Sequence, residues 1–117
     1  MTPRGTAPSK IDHNQPEIVK ALREAGCSVE SLAMVGHGVP DLLVACPDGR
    51  TLLLEVKDGE KPPSARRLTD DEREWQDKWT GEVWTVESVG AALRVVEMGG
   101  IGNGPRHRTC QRGPNND

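Results

Sequence analysis

The stretch from Val39 to Lys57 constrains this chain more than any other. It reads VPDLLVAC, then PDGR, then TLLLEVK. Two apolar runs around a turn signal make a β-hairpin. Pro47 presets φ for the first turn position, Asp48 suits the second, and Gly49 accepts a left-handed backbone. That order predicts a three-residue loop with Gly49 at the bulge position. Cys46 then faces Arg50, and counting back along both strands brings Asp41 opposite Glu55. Side chains alternate along a strand, so Asp41, Glu55 and Lys57 share one face. Directly opposed Cβ atoms lie about 5 Å apart, a spacing at which two carboxylates repel each other. The placement makes sense with a positive charge between them. A divalent cation with oxygen ligands is the natural candidate, and Lys57 adds a cation two residues on. The alternative is a surface ion pair of these acids with Lys57, which would contribute little and would not require this register.

The rest of the chain supplies the elements around the hairpin. A helix is expected from about Pro16, with Ile18, Val19, Leu22 and Ala25 as its apolar stripe and Gly26 as its stop. Ser28 to Val35 reads as an edge-like strand, and Gly36-His37-Gly38 as a flexible lead into the Pro40-Asp41 strand. Residues 60–67 read as a loop with three cations. Thr69 and Glu72 form a capping box for a second helix that runs to about Trp79, with Leu68, Trp75 and Trp79 on its apolar face. Val83 to Val86 is a short strand. Ser88 caps a last helix whose buried side carries Ala91, Ala92, Val95 and Val96. The order α-β-β-β-α-β-α predicts an α/β sandwich with a central mixed four-stranded sheet flanked by helices.

Pro40-Asp41 on one strand and Glu55-Val56-Lys57 on the next resemble the signature of the PD-(D/E)XK nuclease superfamily. The flanks sharpen the likeness. Asn14-Gln15, Glu17-Ile18-Val19 and Leu22-Arg23 resemble the opening helix of small phage-type VRR-NUC domains, which are similar to Holliday-junction resolvases. Gly36-His37-Gly38-Val39-Pro40-Asp41 resembles their metal strand, and Leu68-Thr69 before a Trp-bearing helix resembles their second helix. The resemblance covers residues 12 to 97. It implies a restriction-endonuclease-like fold and Mg²⁺- or Mn²⁺-dependent hydrolysis of DNA phosphodiesters, with branched DNA as a candidate substrate. It also implies a homodimer, since cutting two strands takes two sites. Other readings are a DNA-binding module without turnover and a nuclease subunit that depends on a targeting partner.

In the nuclease reading Asp41 and Glu55 are the metal ligands, the resemblance adds the Val56 backbone carbonyl, and Lys57 orients the water or stabilises developing negative charge. Glu17 matches the family's helix acid, although a first-turn Glu also favours the helix dipole without any catalytic role. Gln15 and His37 are candidate DNA contacts, against the plainer reading of polar loop residues. Lys61, Arg66 and Arg67 are candidate backbone-phosphate contacts, and a solvated loop accounts for them equally. The family often places Gln where Glu72 stands here, and capping is the simpler account of Glu72. Trp75 and Trp79 are expected in the core rather than as stacking platforms.

At 117 residues, 34% of them apolar and only three aromatic, the chain has material for one domain with a modest core of Leu, Val, Ile and Ala. The net charge is −3; residues 1–10 carry +2 and residues 98–117 carry +2, which leaves −7 for the middle. An acidic middle suits a metal site and an ordinary solvated surface alike. The first ten residues read as a flexible arm, residues 11–97 as the nuclease domain, and the stretch from Met98 as a flexible basic tail. Cys27, Cys46 and Cys110 are odd in number and lack a CxxC spacing, which predicts reduced thiols. No apolar run reaches membrane-spanning length and no secretory leader pattern is visible, so a soluble cytoplasmic protein is expected, with no small-molecule organic cofactor.

Overall fold

The hairpin forms in the expected register. In the computed structural model of the chain, which describes residues 12–98, strands β2 (Leu42–Ala45) and β3 (Thr51–Val56) pair antiparallel. Leu42 faces Leu54 and Ala45 faces Thr51. The Cys46 N–H donates to the Arg50 carbonyl at 2.7 Å and the Gly49 N–H to the Cys46 carbonyl at 2.8 Å, closing a loop of Pro47, Asp48 and Gly49. Gly49 takes φ +95°, which a side chain would strain.

Strand β1 (Ser28–Ser31) adds antiparallel to β2, and β4 (Val83–Val86) adds parallel to β3, giving a mixed sheet in the order β1-β2-β3-β4. A parallel neighbour needs a crossover, and helices α2 (Pro63–Arg66) and α3 (Asp70–Lys78) form it. Helix α1 (Gln15–Glu24) precedes the sheet and α4 (Val89–Glu97) follows it. This is the expected four-stranded α/β architecture with one addition. Residues 60–67 are not wholly a loop, because Pro63 opens a four-residue helix whose first turn tolerates a missing N–H. The first strand is also shorter than expected and stops at Ser31. Beyond it the Leu32 N–H still donates to the Asp41 carbonyl at 2.8 Å, which holds the Asp41 backbone at the end of the ladder.

The sheet has two unlike faces. On one, Leu42, Val44, Leu52, Leu54, Val56 and Val86 pack under Ile18 and Leu22 of α1 and under Ala92, Val95 and Val96 of α4. Alternation puts Asp41, Leu53, Glu55 and Lys57 on the other, and the β4 register adds Val83 and Thr85 to it. The start of α3 lies against the loop that leads to Asp41. A Cβ on Gly38 would come within 2.4 Å of the Asp71 carbonyl oxygen, so only glycine permits this approach. The Thr69–Glu72 capping box and the Ser88 cap are both present.

Trp75 and Trp79 are not core residues. Trp75 is half-buried and Trp79 is 41% exposed; their rings stack on each other, centroids 4.6 Å apart. The i, i+4 spacing gives the pair one side of α3, and that side borders a surface pocket of about 240 Å³ shared with His37. Cys27 and Cys46 are buried free thiols, and burial pushes Cys46 up to about 11. No helix among the described residues is long and apolar enough to cross a membrane. Residues 1–10, Cys110 and the basic stretch beyond Met98 lie outside the described residues.

Candidate active site

Asp41, Glu55 and Lys57 converge on the face of the sheet opposite the apolar core. All three are buried, Glu55 to 3% exposure. Asp41 Oδ2 accepts the Val56 N–H at 2.7 Å, which ties the start of β2 to the end of β3. The N–H and C=O of a strand residue point to the same neighbour, so the Val56 carbonyl is directed to the same edge as Asp41. Lys57 Nζ lies 3.6 Å from Glu55 Oε2 and 2.8 Å from Glu72 Oε1. Glu55 Oε1 is buried with no hydrogen-bond partner among the described residues.

The electrostatics follow from two acids sharing a dry pocket. Burial, then the Asp41 and Glu72 charges, push the Glu55 carboxyl up to about 10. Burial also raises Asp41, against the opposing bond from the Val56 N–H. Burial alone would lower Lys57, but the Glu72 bond and the neighbouring carboxylates outweigh it and raise the amine above its usual range. Glu72 moves down despite burial, because Lys57 and the Thr69 N–H both bond to it. The result is a fixed ammonium beside a carboxyl pair that is reluctant to lose its protons unless positive charge arrives.

The structure adds to the sequence reading a second role for Glu72, the place of Thr85 and the burial of Gln76. Glu72 does cap α3, with Thr69 N–H donating to Oε1 at 2.8 Å and Glu72 N–H to Thr69 Oγ1 at 3.1 Å. The same Oε1 also accepts from Lys57, so the cap is at once the lysine's anchor. Thr85 stands across the parallel ladder from Glu55, and its Oγ1 is buried and unpartnered among the described residues. Gln76, one turn beyond Glu72, is buried with its Nε2 likewise unpartnered. The Thr-x-x-Glu spacing signalled Glu72's capping role; Thr85 had no signal until the register of β3 against β4 was known.

The other candidate residues sit on α1, on the loop before Asp41 and on the stretch after β3. Gln15 shares the inward side of α1 with Ile18 and Leu22, is buried, and has an unpartnered Oε1. Glu17 is exposed and lines a cleft with His13 and Asp58. His37 is exposed at φ +59° and faces α3. Lys61 pairs with Asp12 at 3.2 Å and Arg66 with Glu87 at 3.1 Å, while Arg67 is exposed.

The donor set fits a hard divalent ion: two carboxylates side by side, one with a buried oxygen that has no hydrogen to accept, and a backbone carbonyl at the same edge. No family model matches the chain, and no curated protein matches it. Among solved structures, a chain described as a VRR_NUC domain matches at 29% identity, over 71% of this chain and 89% of that one, with a TM-score of 0.47. The chain is similar to a VRR_NUC domain. That is the domain its motifs resemble.

Proposed function

We propose that this chain is a metal-dependent endonuclease that hydrolyses DNA phosphodiester bonds. The observation that carries the reading is the Asp41–Glu55–Lys57 convergence on a non-core face, since burying two acids and an amine there costs stability that a purely structural sheet would not spend. Asp41, Glu55 and the Val56 carbonyl would hold Mg²⁺ or Mn²⁺. The chemistry supplied by the held ion is charge relief at the phosphate and a more acidic water. Lys57, kept protonated and aimed by Glu72, stabilises negative charge that develops on the phosphate oxygens. Asp41, anchored through Val56, fixes the geometry without needing to move.

Within this proposal branched DNA is the preferred substrate, a homodimer the working form, and Gln15, His37, Lys61, Arg66 and Arg67 the contacts to DNA. Glu17 is a further candidate acid. The test is cleavage of duplex, flap and four-way DNA with Mg²⁺ or Mn²⁺. Wild type cuts, Asp41→Ala and Lys57→Ala do not, and both variants keep the native circular dichroism spectrum. Undiminished cutting by either variant would overturn the assignment.

A further inference from the structure

A second cluster lies at the carboxyl ends of β3 and β4, where crevices of parallel strands commonly take ligands. His13 precedes α1, and Asp58 and Glu60 follow β3. Their candidate ligand atoms all lie within 4.8 Å of one another. Asp58 is buried, and its Oδ2 lies 2.8 Å from His13 Nδ1, while its Oδ1 accepts the Glu60 N–H at 2.9 Å. A separate observation concerns the residue next to His13. Asn14 is 7% exposed, and its Nδ2 donates to the Lys57 and Glu87 carbonyls, each at 3.2 Å. Those two bonds set the amide's orientation and leave Oδ1 buried with no partner among the described residues. Asn14 and the three cluster residues line one cleft of about 510 Å³.

We propose that His13, Asp58 and Glu60 bind a transition-metal dication of the Zn²⁺ class, distinct from any ion at Asp41 and Glu55. One imidazole nitrogen with carboxylate oxygens is a borderline donor set that suits Zn²⁺ and disfavours Mg²⁺. Adjacent ligands on bonds of about 2.0–2.2 Å sit roughly 3.0–3.5 Å apart. The His13–Asp58 pair needs to open by only a few tenths of an ångström, and the exposed Glu60 side chain swings inward. Asp58 is already fixed by the backbone of its own turn, so the ordering cost falls on His13 and Glu60.

This proposal does not depend on the nuclease reading, and its test separates the two. Full-length metal-free protein is titrated with Zn²⁺ by calorimetry, and the His13 imidazole is followed by NMR. Wild type and Asp41→Asn should both take up one Zn²⁺ equivalent that shifts the His13 resonances. His13→Ala and Glu60→Gln, both at exposed positions, should weaken that uptake by about tenfold or more, a ligand counting for at least as much as an outer-shell partner. Unchanged uptake in His13→Ala and Glu60→Gln overturns the proposal. So does uptake that disappears in Asp41→Asn alone, or wild type that takes up no Zn²⁺.

Discussion

The two faces of the sheet are made from the same few strands and are opposites in energy. On one face, Leu42, Val44, Leu52, Leu54 and Val56 meet the apolar sides of α1 and α4, and every contact favours the fold. On the other, Asp41, Glu55 and Lys57 occupy the alternate positions of the same strands, with buried polar atoms of Glu55 and Thr85 unpartnered among the described residues. Each unpaired buried polar group costs free energy. The difference teaches where stability and chemistry are separated in this molecule. A single register, set by the Pro47-Asp48-Gly49 loop, decides which residue lands on which side, and a slip of one residue would exchange the two sets.

The contrast can be tested by perturbing each face. A large, pH-independent effect is expected on the apolar side. Leu54→Ala should cost about 2–5 kcal/mol of folding stability, because Leu54 is fully buried and the structure around a cavity relaxes only partially. Urea denaturation measures it; a loss below about 1 kcal/mol would mean that the apolar face does not carry the fold.

The polar side should respond to pH instead. Glu55 is held near 10 against an ordinary 4.5, so between those values the folded metal-free protein keeps a proton that the unfolded chain has released. Its contribution to stability is complete below about pH 4.5 and is lost as pH rises toward 10, at up to about 1.4 kcal/mol per pH unit. Asp41, also raised, acts with the same sign. Glu55→Gln should therefore flatten the fall in melting temperature from pH 5 to 9 and be the more stable protein at the alkaline end. A wild type whose stability is flat across that range would show that the Glu55 carboxyl is ionised without cost.

A smaller effect distinguishes capping from anchoring on α3. Thr69→Ala removes one half of the capping box and should cost about 1 kcal/mol, while Lys57 keeps its bond to Glu72. Glu72→Gln can keep the cap but loses the charge beside Lys57. Its expected signature is a lowered Lys57 pKa by NMR, with stability within about 1 kcal/mol of wild type. An unshifted Lys57 would confine Glu72 to the cap.

What could be read in the sequence was local. The hairpin loop, the Thr69 and Ser88 caps and the bounds of β4 depend on residues a few positions apart, and each appears as its residues dictate. The pairing of Asp41 with Glu55 was legible because one short loop transmits the register across it. The second role of Glu72, the place of Thr85 beside Glu55, and the contact of His13 with Asp58 all depend on elements distant in the chain. Trp75 and Trp79 show the limit from the other direction. Their spacing defines one side of a helix, but it does not say whether another element covers that side, and Trp79 is left exposed.

The central claim is that Asp41 and Glu55 share one ion. Crystals grown with Mn²⁺ and a DNA oligonucleotide, with data collected for the manganese anomalous signal, test it most directly. The account predicts a peak within bonding distance of both carboxylates, about 2.0–2.6 Å. Ordered crystals with DNA in place, saturating Mn²⁺ and no peak between those two side chains would contradict it.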